Sequence, residues 1–66
     1  MIQSGDKVVM YYYDDEKRPK YDIVEILRTP RGEGDLWQVK TQSGDIHAIN
    51  PYSPDFIRFV KESEEE

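Results

Sequence analysis

Among its 66 residues the chain has no cysteine and one histidine, His47. Without cysteine there are no disulfides, no thiol nucleophile and no thiolate metal site. No apolar run approaches the roughly 18 residues that a membrane-spanning helix requires. Met1-Ile2-Gln3-Ser4 leads into Gly5-Asp6-Lys7 without the charged and apolar stretches of a secretory leader, so a cytoplasmic address is expected. An excess of positive charge is also lacking, with 9 Lys and Arg against 14 Asp and Glu and a net charge of -5. Glu62, Glu64, Glu65 and Glu66 hold four of these acids, which leaves nine bases against ten acids over residues 1–61. Such a nearly neutral body with an acidic end disfavours strong non-specific adhesion to phosphate backbones or anionic membranes.

What the chain does have is 36% hydrophobic and 35% charged residues, with five Tyr, two Phe and one Trp. That composition is too polar for a membrane protein and too rich in Tyr, Ile and Val for disorder. The length allows one domain, residues 1–61, followed by a disordered acidic tail at 62–66. Ordering a chain of this size costs on the order of 100 kcal/mol, with no covalent cross-link to offset it, so the aromatic residues must serve the core first.

The apolar residues fall in short β-branched and aromatic runs separated by Gly, Pro and Asp, the pattern of short strands. Five are predicted: Lys7 to Tyr13, Tyr21 to Arg28, Leu36 to Gln42, Ile46 to Asn50 and Phe56 to Lys61. Asp14 to Lys20 reads as a charged loop, Thr29 to Asp35 as a Gly- and Pro-containing hairpin loop, and Ser43-Gly44-Asp45 as a tight turn. Pro51-Tyr52-Ser53-Pro54-Asp55 cannot extend a ladder, because its two prolines lack donors, and a short 3₁₀ turn fits there. The expected fold is all-β, a small five-stranded SH3-like barrel with that 3₁₀ turn before the last strand. Closure would protect the sheet edges and seal one core layer of Val8, Met10, Val24, Ile26, Trp37, Val39, Ile49, Ile57 and Phe59. An OB-like barrel is the competitor; it takes a longer helix between its third and fourth strands than Ser43-Gly44-Asp45 leaves room for.

Gly5-Asp6-Lys7-Val8-Val9, Asp22-Ile23-Val24-Glu25-Ile26, Leu36-Trp37-Gln38-Val39-Lys40 and the Pro51 to Asp55 turn span nearly the whole folded part. Together they resemble a family of short bacterial SH3-like proteins of unassigned function, with a GDxxVV-like opening strand and a proline-rich PxPD turn. Thr41 and Asp45 depart from that pattern, standing where the family often has an aromatic residue and a histidine. The opening strand and the Tyr-led second strand also resemble Tudor domains, which hold methylated Arg or Lys in an aromatic cage. Tyr12 matches one cage position and Tyr21 another, whereas Lys40, Thr41 and Ser43 stand where further walls are needed, so the cage is incomplete.

Chemistry finds few footholds. A lone histidine in an alternating strand reads as a structural or surface residue, and no serine sits in a nucleophile elbow. Asp14-Asp15-Glu16 lacks the spacing and the glycine of a calcium loop. No catalytic residue, metal or cofactor is therefore expected, and the chain reads as a non-enzymatic interaction module. Alternation puts Tyr11 and Tyr13 on the face opposite Tyr12, so at least one ring is exposed, and exposed tyrosines beside a charged loop compose a protein-recognition surface. The candidate protein-binding residues are Tyr11, Tyr13, Tyr52 and Trp37, around the groove that the SH3-like resemblance implies between the first loop and the Pro51 to Asp55 turn. A nucleic-acid-binding barrel using Arg28, Arg31 and Lys40 is the alternative, and an acidic inhibitor that mimics nucleic acid through Asp14, Asp15, Glu16 and the tail is a third.

Overall fold

The computed structural model describes residues 1–62. Five antiparallel strands form one sheet: β1 (Lys7–Tyr13), β2 (Pro19–Arg28), β3 (Trp37–Thr41), β4 (Ile46–Ile49) and β5 (Phe56–Lys61). Their order across the sheet is β4-β3-β2-β1-β5. The chain is thus all-β, and the expected acidic tail beyond Glu62 lies outside the described residues.

Alternation determines the core. Val8 stands opposite Val24, and Ile26 opposite Val39, so four β-branched side chains meet on one face. With Met10 they form the buried cluster, and Ile2, Tyr12, Trp37, Ile49, Phe56 and Phe59 pack against it. At about 25 cal/mol per Å² of apolar surface removed from water, burial of these residues is the main source of stability. The outer face carries a smaller cluster in which Val9 is flanked in register by Ile23 and Val60.

The sheet is strongly curled. β3 and β5 are three strand spacings apart, about 14 Å if the sheet were flat, yet the rings of Trp37 and Phe59 approach to 4.8 Å. The ladder does not close, however. β4 and β5 remain its two edges, so the closed barrel expected from the sequence becomes an open, curled sheet in which residues 50–55 bridge the gap. At the expected 3₁₀ turn, Ser53 N–H donates to Asn50 O and Phe56 N–H to Ser53 O, both at 3.1 Å, which makes two successive turns and no helical run over residues 50–56.

Two further expectations are corrected. Ile57, assigned to the core, is 40% exposed, because the β1–β5 register passes from Tyr11↔Arg58 to Tyr12↔Phe56 and skips it. This bulge turns both Phe56 and Phe59 inward although three positions separate them. The first loop is also shorter than expected. β2 starts at Pro19, paired with Tyr13, and the first residue of a strand is a place where a missing N–H is tolerated.

The β1–β2 and β3–β4 hairpins share one hydrogen-bond pattern. Lys17 N–H donates to Asp14 O at 2.9 Å and Asp14 N–H to Arg18 O at 2.9 Å; Gly44 N–H donates to Thr41 O at 3.0 Å and Thr41 N–H to Asp45 O at 2.8 Å. Each is a turn closed by a residue of positive φ, +96° at Gly44 and +62° at Lys17. Asp14 reinforces the first hairpin by accepting the N–H groups of Glu16 and Arg18 at 2.9 Å each, and by pairing with the Arg18 guanidinium at 3.1 Å.

Candidate functional site

A groove of about 470 Å³ opens on the inner face of the sheet beside the gap between its edges β4 and β5. Its floor and walls come from Met10 and Tyr12 on β1, Ile49 on β4, and Phe56 at the start of β5. Tyr13, Ser53 and Asp55 bring the end of the first strand and the proline-rich turn to its rim. Two bonds fix these rims together: Tyr13 N–H donates to Asp55 O at 2.8 Å, and Lys17 Nζ reaches Asp55 Oδ1 at 2.9 Å. The second is largely solvated and adds little stability, but it lies where the first loop meets the turn.

Asp22 is the carboxylate on the inner face of the sheet, exposed at the mouth of the groove. It stands opposite Met10 in the β1–β2 register, a position that alternation gives to the core, and its Oδ2 accepts the Tyr12 hydroxyl at 2.9 Å. That bond, then burial, raises the Tyr12 phenol above its ordinary pKa, because ionisation would set two anions side by side. The groove lining includes two carboxylates, Asp22 and Asp55, the latter paired with Lys17, and no Lys or Arg.

His47, Ser53 and Asp55 all line this groove, yet they form no nucleophile–base pair. Ser53 Oγ accepts the backbone N–H of Asp55 at 3.3 Å, and among the described residues no hydrogen bond links His47 to Ser53. No group of three or more His, Cys, Asp or Glu positioned to hold a metal occurs among the described residues. None of their helices is long and apolar enough to cross a membrane.

The aromatic residues singled out in the sequence divide between four places. Tyr13 reaches the groove. Tyr11 lies on the outer face opposite Tyr21, with ring centroids 6.1 Å apart and the Arg58 guanidinium 5.2 Å above its ring. Trp37 packs into the core against Phe59. Tyr52 is 79% exposed on the turn, its N–H bonded to Asn50 Oδ1 at 2.9 Å. Tyr12 and Tyr21, the two positions of the Tudor resemblance, fall on opposite faces, so they do not share a cage.

The cationic candidates do not converge. Arg28 Nη2 donates to both oxygens of Asp35 at 2.7 Å each, and the same carboxylate accepts the N–H groups of Arg31 and Leu36 at 2.9 Å. These donors, the two backbone amides first, hold the Asp35 carboxyl below its ordinary pKa. Lys40 lies on the outer face opposite Glu25, which Lys7 flanks from the other side.

Sequence reasoning passed over Asp22 and Phe56 as site residues. An acid at an inward position of an otherwise apolar alternation was the available signal for Asp22; the bulge that turns Phe56 inward leaves no such trace. The chain matches no family model, no curated protein and no solved structure.

Proposed function

We propose that this chain is a non-enzymatic SH3-like interaction module that takes a positively charged, extended segment of another protein into the groove between β1, β4 and the proline-rich turn. The observation that carries this reading is the pairing of aromatic walls, Tyr12 and Phe56, with two carboxylates, Asp22 beside Tyr12 and Asp55 at the rim, where it also meets Lys17. An aromatic face attracts a cation through its quadrupole, and a carboxylate within reach adds a charge-assisted hydrogen bond, so an Arg or Lys side chain fits both. The barrel part of the reading is supported by the Trp37–Phe59 approach, which requires the sheet to curl back on itself.

The folded positions of its cations weigh against the nucleic-acid alternative. Arg28 is held bidentate by Asp35, and Lys40 faces Glu25. The mimic reading loses two of its acids to the first hairpin, since Asp14 organises that turn and Glu16 pairs with Arg18.

The test is an NMR titration of the protein with a blocked hexapeptide alternating Val and Arg, beside a counterpart alternating Val and Glu. The reading expects shifts at Tyr12, Asp22, Asp55 and Phe56 with the Arg peptide, weakening as salt is added, and none with the Glu peptide. Equal response to both peptides, or to neither, would overturn it.

A further inference from the structure

The open edge of β4 borders the groove and is unguarded. Edge strands are commonly protected by charges, proline or bulges. β5, the other edge, has the bulge at Ile57 together with Arg58 and Lys61. β4 reads Ile46-His47-Ala48-Ile49, without Asp, Glu, Lys, Arg or Pro, and Ile46 is 61% exposed. Its shortness is its one protection.

The register shows what that edge offers. Thr41 N–H donates to Asp45 O, so these two residues form a hydrogen-bonded pair at the mouth of the hairpin. Alternation along the antiparallel ladder then directs the backbone groups of His47 and Ile49 toward β3, where they oppose Val39 and Trp37. The N–H and C=O groups of Ile46 and Ala48 are left facing outward. A strand laid there would lie about 4.8 Å beyond β4, on the side where the sheet opens onto Tyr12, Asp22 and Phe56.

We infer that the segment bound in the groove enters as a sixth strand, pairing its backbone with Ile46 and Ala48 of β4 while alternate side chains, at least one of them cationic, reach Asp22 and Asp55. This rests on the groove reading above and adds the mode of recognition: main-chain pairing gives affinity, and the acidic aromatic groove gives specificity through every second side chain. Charge complementarity selects the occupant, because the groove lining carries the carboxylates of Asp22 and Asp55 and no Lys or Arg, with Lys17 reaching Asp55 from the rim.

The experiment uses the alternating Val and Arg hexapeptide in three forms: unmodified, and N-methylated on alternate backbone nitrogens in either of the two phases. Methylation removes donors from one edge of an extended peptide and leaves its side chains and charge in place. One phase should lose about tenfold or more in affinity while the other binds within a few-fold of the unmodified peptide. Binding should also slow amide exchange at Ile46 and Ala48. Equal affinity in both phases, or equal loss, together with retained shifts at Tyr12 and Asp22, would overturn edge pairing and leave the groove reading standing. Failure of the unmodified peptide to bind would overturn both. Self-association through β4 without peptide binding would overturn the inference in favour of a second copy as occupant.

Discussion

Trp37 and Phe59 bring their ring centroids to 4.8 Å at an interplanar angle of 60°, joining β3 to β5 across the inside of the sheet. Phe56 extends the contact, 4.9 Å from Phe59, toward the groove. Curvature, core and candidate site therefore share one aromatic row. Trp37→Ala and Phe59→Ala should each cost about 3 kcal/mol, most of the roughly 3–5 kcal/mol that a core of this size supplies. Urea denaturation measures the loss in each single variant, and a double-mutant cycle on the milder Trp37→Leu and Phe59→Leu, which keep the fold, should give a coupling near 1 kcal/mol for the ring pair. Additive losses would mean that the rings do not hold the sheet curled.

Acid should loosen the 29–36 loop. The Asp35 carboxyl is lowered by the Arg31 and Leu36 amides and then by Arg28, and Asp14 and Asp6 are lowered by backbone amides in the same way. A carboxyl with a depressed folded pKa contributes stability that is complete above the ordinary aspartate range near 4 and is lost as the pH falls through the folded value. The melting temperature of the wild type should drop below about pH 4, and Asp35→Asn should be less stable at neutral pH with a shallower acid slope. An unchanged slope would show that the carboxylate network contributes nothing to acid sensitivity.

Base should act through Tyr12. Its phenol is raised first by the bond to Asp22, so the neutral form is the one that the fold favours. The corresponding stability is complete below the ordinary tyrosine value near 10 and disappears as the pH rises through the folded value. Asp22→Asn should bring the Tyr12 ionisation down toward its ordinary value in a spectrophotometric titration followed by NMR. A Tyr12 titration unmoved by that substitution would assign the shift to burial alone.

The two hairpins offer opposite substitutions at the same structural position. Gly44→Ala forces a side chain into φ +96° and should cost about 1 kcal/mol or more. Lys17→Gly relieves a non-glycine residue at φ +62° and gives up only a solvated pair with Asp55, so it should be neutral or stabilising by up to about 1 kcal/mol. Thermal melts of the two variants decide both.

Much of this molecule is written in its alternation. Val8, Met10, Val24, Ile26 and Val39 are predicted inward and are buried, because each lies on a regular stretch of ladder. Period two fails at Ile57 and Phe56, where a bulge shifts the parity, and nothing in FIRFVK marks which residue is skipped. A groove between the first loop and the Pro51 to Asp55 turn is what the likeness to SH3-like barrels implies, and Ser53 and Asp55 of that turn line the groove found here. The rest of its lining was not legible. The three consecutive tyrosines directed attention to the exposed rings, whereas Tyr12, the half-buried middle one, is the ring that meets the inward carboxylate. Arg28 could not be discounted beforehand, since only the folded loop brings Asp35 against it.

The account stands most directly on the affinity of the alternating Val and Arg hexapeptide for the wild type and for the Asp22→Asn, Asp55→Asn double variant, measured side by side at low salt by calorimetry. Loss of both carboxylates should weaken binding about tenfold or more while the fold persists by circular dichroism. Equal affinity for a still-folded double variant would contradict the account, since the groove would then hold the peptide without its charge.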